Sequence, residues 1–159
     1  EDLQALSTSN LIIEAIVEKK EVKQALFQQL ASICAETTIF ASNTSSISIT
    51  AIAATIPQPE RVVGLHFFNP AQVMKLVEVI GGLQSSSQIC DALVDLMQSW
   101  HKVPVRAKST PGFIVNRIAR PYYAEGFRAL QEHATTPEQL DFIMRECGRF
   151  DRDTDASLL

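Results

Sequence analysis

Val62-Val63-Gly64-Leu65-His66-Phe67-Phe68-Asn69-Pro70, followed after a short turn by Leu76-Val77-Glu78-Val79-Ile80, decides how this chain reads. Each run is short, apolar and bounded by turn residues, the pattern of a buried strand. Each also carries one polar intruder. A carboxylate at Glu78 is costly on an apolar strand unless it is paired or hydrogen-bonded. A histidine at the end of one strand and a carboxylate inside the next can lie side by side in a sheet. That pair makes a general base with an orienting partner. Taken singly, His66 reads as a structural histidine and Glu78 as a strand residue with its head in solvent. Taken together, with Asn69 between them, the catalytic and structural readings stand level.

Working outward, Leu11-Ile12-Ile13-Glu14-Ala15-Ile16 reads as a buried strand after the turn-forming Ser9-Asn10. A helix is predicted from Glu21 to Cys34, with Val22, Leu26, Leu30 and Ile33 on its apolar face. Glu18 and Glu21 lie near its start, where the helix dipole favours acidic groups. Thr38-Ile39-Phe40-Ala41 is a second strand that runs into the polar burst Ser42-Asn43-Thr44-Ser45-Ser46. A short helix from Ser48 to Ile56 is stopped by Pro57. Ile89, Leu93, Leu96, Met97 and Trp100 mark a further helical stripe. Val103-Pro104-Val105 is the last strand, and its proline predicts an edge position.

Strands alternating with helices predict an α/β fold with a mainly parallel sheet and ligands at the carboxyl ends of the strands. Ser45 and His66 fall at or just beyond such ends. After the punctuated link Ser109-Thr110-Pro111-Gly112, residues 113–147 read as helices only. The last helix is signalled by Thr136 as N-cap, Pro137 in the first turn, Gln139 completing a capping box, and Gly148 as the stop. The expected domains are therefore 1–108 and 109–159.

Three further groups have a plain reading beside a functional one. Ser42 to Ser46 is a loop with capping hydroxyls, or it brings hydroxyl and amide groups to a ligand. Asn116, one turn into a helix, is by default a solvated side chain. Glu18 and Lys23 are by default a surface charge pair.

The totals narrow the function classes. A chain of 159 residues with 46% hydrophobic content buries a real core. A formal charge of −4 without a basic stripe gives no reason to expect a nucleic-acid partner. Cys34, Cys90 and Cys147 are odd in number and far apart, which reads as free thiols in a reducing cytosol with no metal site. No apolar run approaches the roughly 20 residues that span a bilayer, so no membrane association is expected. The chain begins at Glu1 without methionine or a signal-like segment and reads as a fragment.

Several stretches together resemble the 3-hydroxyacyl-CoA dehydrogenases, NAD-dependent enzymes of β-oxidation. They are Ile13-Glu14-Ala15-Ile16-Val17-Glu18, Ala41-Ser42-Asn43-Thr44-Ser45-Ser46, Gly64-Leu65-His66-Phe67-Phe68-Asn69-Pro70, Met74-Lys75-Leu76-Val77-Glu78-Val79 and Thr110-Pro111-Gly112-Phe113-Ile114-Val115-Asn116-Arg117. Ser99-Trp100 and Ala119-Arg120-Pro121-Tyr122-Tyr123 look most like the bacterial branch acting on 3-hydroxyadipyl-CoA in phenylacetate breakdown. The resemblance implies the second half of a Rossmann-type NAD-binding domain, then the start of an all-helical C-terminal domain like that of 6-phosphogluconate dehydrogenase. It implies oxidation of a (3S)-3-hydroxyacyl-CoA to the 3-oxoacyl-CoA, in fatty-acid or phenylacetate catabolism. His66 would be the base, Glu78 its orienting partner, and Ser45 and Asn116 the groups that hold the substrate oxygen. Glu18, Lys23, Ser45 and Asn69 would line the NAD site. A bacterial cytoplasmic homodimer is the expected form of the complete protein.

Two departures from the family pattern qualify this. The Gly-x-Gly-x-x-Gly turn that seats a pyrophosphate is not in the sequence. After Gly148-Arg149-Phe150 the family's Pro-x-Gly-Pro stretch is replaced by the polar run Asp151 to Leu159. Truncation or an altered reading frame accounts for both, and taken alone these residues are expected neither to bind NAD nor to turn over substrate. His101 also stands where the family usually has glycine. The alternative is a catalytically inactive fragment or a structural relative of the lens-crystallin kind. A β-hydroxyacid dehydrogenase acting on small acids is disfavoured, because a lysine base is expected there in place of the His66/Glu78 pair.

Overall fold

The computed structural model describes residues 2–147, which fall in two compact units, one ending at Ile114 and the other starting at Val115. In the first unit, β1 (Leu11–Glu14), β2 (Ile39–Ser42), β3 (Val62–Phe67), β4 (Leu76–Gly81) and β5 (Val103–Lys108) lie in that order across one sheet. β1, β2 and β3 run parallel, as do β4 and β5; only β3 and β4 are antiparallel. The mainly parallel sheet expected from the sequence is therefore present. Its one antiparallel joint follows from the short connection after β3, since neighbouring parallel strands need a crossover of about a dozen residues or more. The Asn69–Pro70 peptide within that connection is cis. Pro104 lies on β5, an edge strand as its ring requires.

Helices cover both faces. α1 (Lys20–Ile33) and α2 (Ile49–Ala53) pack with Ile12, Phe40, Val62, Ile80 and Phe113 on one side. α3 (Ser87–Ser99) packs through Cys90, Leu93 and Met97 against Val63, Leu65, Val77 and Val79 on the other. Alternation along β3 therefore sends Val63 and Leu65 to α3, and Gly64 to the α2 face. A Cβ at Gly64 would come within 2.9 Å of both Ile49 Cδ1 and Ile80 Cβ, so the strand can lie this close to its neighbours only with glycine there.

Three details differ from the sequence reading. The first strand stops at Glu14 rather than Ile16, because the Glu14 carboxylate takes the Ile16 N–H at 3.0 Å. The buried positions of α1 are Lys23, Phe27 and Leu30, with Leu26 and Ile33 at the margin; Val22 is exposed. The stripe is rotated by one residue because Phe27 stacks on Phe40 and Lys23 turns inward to a carboxylate. Trp100, expected on the α3 stripe, is instead half exposed beyond the helix end.

That helix end explains the oddity at His101. His101 N–H donates to the Gln98 carbonyl at 2.9 Å and Lys102 N–H to the Met97 carbonyl at 3.0 Å, the two bonds of a Schellman motif. His101 takes the left-handed position with φ of 59°, where glycine is the unstrained choice.

In the second unit, α4 (Val115–Gln131) and α5 (Pro137–Glu146) are joined by a turn in which His133 has φ of 54°. The Thr136–Gln139 capping box starts α5 as expected, with both reciprocal hydrogen bonds made. The Gly148 stop and the polar tail lie outside the described residues. α4 begins at Val115, so Asn116 is in its first turn, not a turn further in. No described helix is long and apolar enough to cross a membrane.

Candidate active site

The register of β3 and β4 sets His66 directly opposite Glu78. His66 Nδ1 lies 2.7 Å from Glu78 Oε2, and the two side chains are 8% and 1% exposed. The Ile114 N–H donates to Glu78 Oε1 at 2.9 Å, which answers the cost of a carboxylate on this apolar strand. The imidazole packs against Phe68 and Phe113, with ring centroids 4.5 and 5.9 Å away. Phe113 reaches that place through consecutive left-handed residues, Gly112 at φ 75° and Phe113 at φ 46°. A left-handed phenylalanine is strained, and its burial at 3% exposure shows what holds it. With Nδ1–H directed at Glu78, a neutral imidazole keeps its lone pair on Nε2. That tautomer is a proton acceptor with a carboxylate ready to stabilise the cation it becomes.

A second carboxylate network lies at the ends of β1 and β2. The buried Lys23 ammonium donates to Glu14 Oε1 and Oε2 at 2.9 and 2.8 Å and to the Ile16 carbonyl at 3.3 Å. Glu18 Oε2 is 3.4 Å from the same ammonium. Ser42 Oγ also donates to Glu14. Glu18 Oε1 in turn accepts from Thr44 Oγ1 at 2.5 Å and from the Ser45 N–H at 3.0 Å. Burial pushes the Glu18 carboxyl up, but the Thr44 and Ser45 hydrogen bonds and the Lys23 charge outweigh it and hold it below its ordinary value. Glu18 and Lys23 are thus no surface pair, because Lys23 is buried and its main partner is Glu14. Lys23 sits beneath Glu18, while the Glu18 side chain is 40% exposed.

Asn43 ties the two networks together. Its N–H donates to the Glu14 carbonyl at 2.9 Å, and its Oδ1 accepts the Phe67 N–H at 2.8 Å. The carboxyl ends of β1, β2 and β3 are thereby fixed to one another, with Ser45 just beyond β2 and His66 near the end of β3. Asn69 is exposed in the turn that follows β3. Asn116 belongs to the second unit, on α4. Glu14, Phe113 and Ile114 are not site residues in the sequence reading, and Ser42 and Asn43 enter it only as members of the Ser42 to Ser46 burst. For Glu14 the signal was available: it interrupts an apolar strand as Glu78 does.

The NAD-type ligand implied by the sequence can be tested against these groups. An ionised, half-exposed Glu18 beside the Ser45 hydroxyl suits the hydroxyl-rich nicotinamide-ribose end. Nothing in the sequence corresponds to the glycine-rich turn for the pyrophosphate.

Residues 1–110 match the family model described as 3-hydroxyacyl-CoA dehydrogenase, NAD binding domain, and residues 112–150 match its C-terminal domain. The chain is 57% identical to the 3-hydroxyadipyl-CoA dehydrogenase of Escherichia coli, over 94% of this chain and 31% of that protein. It is 47% identical to the human mitochondrial hydroxyacyl-coenzyme A dehydrogenase, over 87% of this chain and 44% of the relative. The crystal structure of (S)-3-hydroxybutyryl-CoA dehydrogenase from Ralstonia eutropha superposes with a TM-score of 0.90 at 40% identity, covering 94% of this chain and 53% of that one. The chain thus spans between about a third and about half of the length of these relatives.

Proposed function

The chain belongs to the 3-hydroxyacyl-CoA dehydrogenase family, and on that premise we propose that the protein carrying it oxidises (3S)-3-hydroxyacyl-CoA to 3-oxoacyl-CoA with NAD, in fatty-acid or phenylacetate catabolism. The observation that carries the reading is the His66–Glu78 pair, with Nδ1 committed to the carboxylate and aromatic rings around the imidazole. His66 Nε2 takes the proton of the substrate 3-hydroxyl. Glu78 holds the ring in the required tautomer and stabilises the imidazolium that forms. Phe68 and Phe113 limit water around the ring, which strengthens the pair electrostatically. Ser45 and Asn116 each contribute a hydrogen bond to the same substrate oxygen as it changes from alcohol to ketone.

NAD, when bound, would supply the acceptor for the hydride that leaves C3. Glu18, Ser45 and Asn69 would hold its nicotinamide-ribose end, with Lys23 fixing Glu18 from beneath. The complete protein is proposed to be a homodimer of the bacterial cytoplasm. Exposed Ile118, Phe127, Phe142 and Ile143 on α4 and α5 support a further interface, and the free thiols Cys34, Cys90 and Cys147 and the Escherichia coli relative support the compartment.

The test uses the full-length protein, a 3-hydroxyacyl-CoA and NAD, with NADH followed by absorbance. Substrate-dependent NADH formation is expected, and Asn116→Ala should reduce kcat/KM by the equivalent of about 2–4 kcal/mol. No NADH from any 3-hydroxyacyl-CoA overturns the function; an unchanged kcat/KM in the variant removes Asn116 from the site.

A further inference from the structure

Asn116 and Arg120 stand four residues apart on α4, so they share one face with Cβ atoms about 5–6 Å apart. Helical side chains lean toward the N-terminus, so residues four apart cover neighbouring patches of one face. Among the described residues the other arginines are engaged. Arg61 donates to the Ala35 carbonyl, Arg106 pairs with Asp91, Arg128 pairs with Glu125, and Arg145 donates to the Asp141 carbonyl. Arg117 and Arg120, three residues apart and both exposed, have no such partner. No acidic residue occurs between Asp95 and Glu125 to supply one along the chain. Two like charges on adjacent turns, neither ion-paired among the described residues, raise the potential there and favour an anion.

We propose that Arg120 is a specificity-determining residue that pairs with the distal carboxylate of a dicarboxylyl-CoA substrate. This rests on the function given above, in which Asn116 meets the oxygen on C3. A six-carbon diacid carries its far carboxylate three carbon–carbon bonds beyond C3, a span on the order of one helical turn. With the acyl chain running along α4 toward Arg120, the face that meets the reacting oxygen through Asn116 meets that carboxylate one turn on. A carboxylate leaving water needs a charged or hydrogen-bonding partner, and a guanidinium provides two parallel donors for it. An acyl chain ending in methyl gains nothing from Arg120. The names of the relatives span both classes, one a 3-hydroxyadipyl-CoA enzyme and another a 3-hydroxybutyryl-CoA enzyme, so the end group is the property to be decided.

The experiment compares 3-hydroxyadipyl-CoA with 3-hydroxyhexanoyl-CoA, equal in length and different only at the end, in the full-length protein. Arg120→Ala should lower kcat/KM for the diacid by about ten- to a hundredfold and leave the hexanoyl substrate nearly unchanged. Arg120→Lys should recover part of the loss, and titration calorimetry should show the same selective weakening for adipyl-CoA over hexanoyl-CoA. Equal loss on both substrates, or no loss on either, overturns the proposal. So does a selective loss of the same size in Arg117→Ala, which would mean a diffuse positive field in place of one partner. If the unsubstituted protein makes no NADH from either substrate, the assignment of Arg120 is overturned, whereas the underlying function fails only if no 3-hydroxyacyl-CoA yields NADH.

Discussion

Two buried carboxylates on apolar strands, Glu78 and Glu14, have the same problem and reach opposite solutions. Glu14 is filled on every side: Lys23 donates to both of its oxygens, Ser42 to Oε1 and the Ile16 N–H to Oε2. Its partner is also spent, because the three donors of the Lys23 ammonium go to Glu14, the Ile16 carbonyl and Glu18. Glu78 faces a partner with two nitrogens, of which only Nδ1 is committed. A saturated pair fixes the ends of β1 and β2. A pair with one nitrogen left over can take a proton. The distinction lies in the count of donors and acceptors, since burial is nearly the same for the two carboxylates.

The sharpest way to break this contrast is to remove the spare nitrogen. In the full-length protein, His66→Gln should lower kcat by about a hundred- to ten-thousandfold, the usual worth of a positioned base, while thermal unfolding and NAD affinity change little. Glu78→Gln should lower kcat less and move the pH–rate profile, because the imidazolium loses the charge that stabilises it. Near-normal turnover without His66 would leave the pair structural, like the one at Glu14.

How much of this was legible in the sequence depends on the length scale of each interaction. His66 and Glu78 were visible as polar residues in adjacent apolar strands, and the short connection between the strands made their pairing readable. The covering helices and the α5 capping box were legible because periodicity and capping are local. Lys23 was not. Its partner Glu14 is nine residues away on another element, and a lysine near the start of an amphipathic helix reads as solvated unless the strand is already in place. The same reason hid Phe113 and Ile114, which read as the start of the helical stretch until the left-handed turn brings one over His66 and the other onto Glu78. His101 was noticed only through the family pattern, and its left-handed φ supplies the physical cause.

The saturated pair can be broken from one side. Glu14→Gln keeps the shape but leaves the Lys23 ammonium buried with Glu18 as its remaining carboxylate neighbour, at 3.4 Å. Breaking a buried pair from one side costs about 3–5 kcal/mol, so urea unfolding should show a loss of that order. The pH dependence of the turnover that remains should match the unsubstituted protein. A shifted pH–rate profile with stability intact would mean that Glu14 belongs to the proton chemistry after all.

The smallest change asks whether saturation itself matters. Ser42→Ala deletes one hydroxyl that donates to Glu14 and accepts the Thr44 N–H at 3.3 Å, while Lys23 keeps both of its bonds to the carboxylate. A hydrogen bond to a charged group is worth about 1.5–3 kcal/mol, so the variant should unfold earlier in urea by that amount and less than Glu14→Gln. Two effects act at once. The carboxylate loses a donor that cannot be replaced from inside the protein, and the Thr44 N–H loses its acceptor at the turn that carries Ser45. If the second effect dominates, the Michaelis constant for NAD rises along with the loss of stability, because Glu18 is held through Thr44 and Ser45. If the first dominates, stability alone falls. No change in either would show that the fourth contact on Glu14 is incidental, and the contrast with Glu78 would then rest on Lys23 alone.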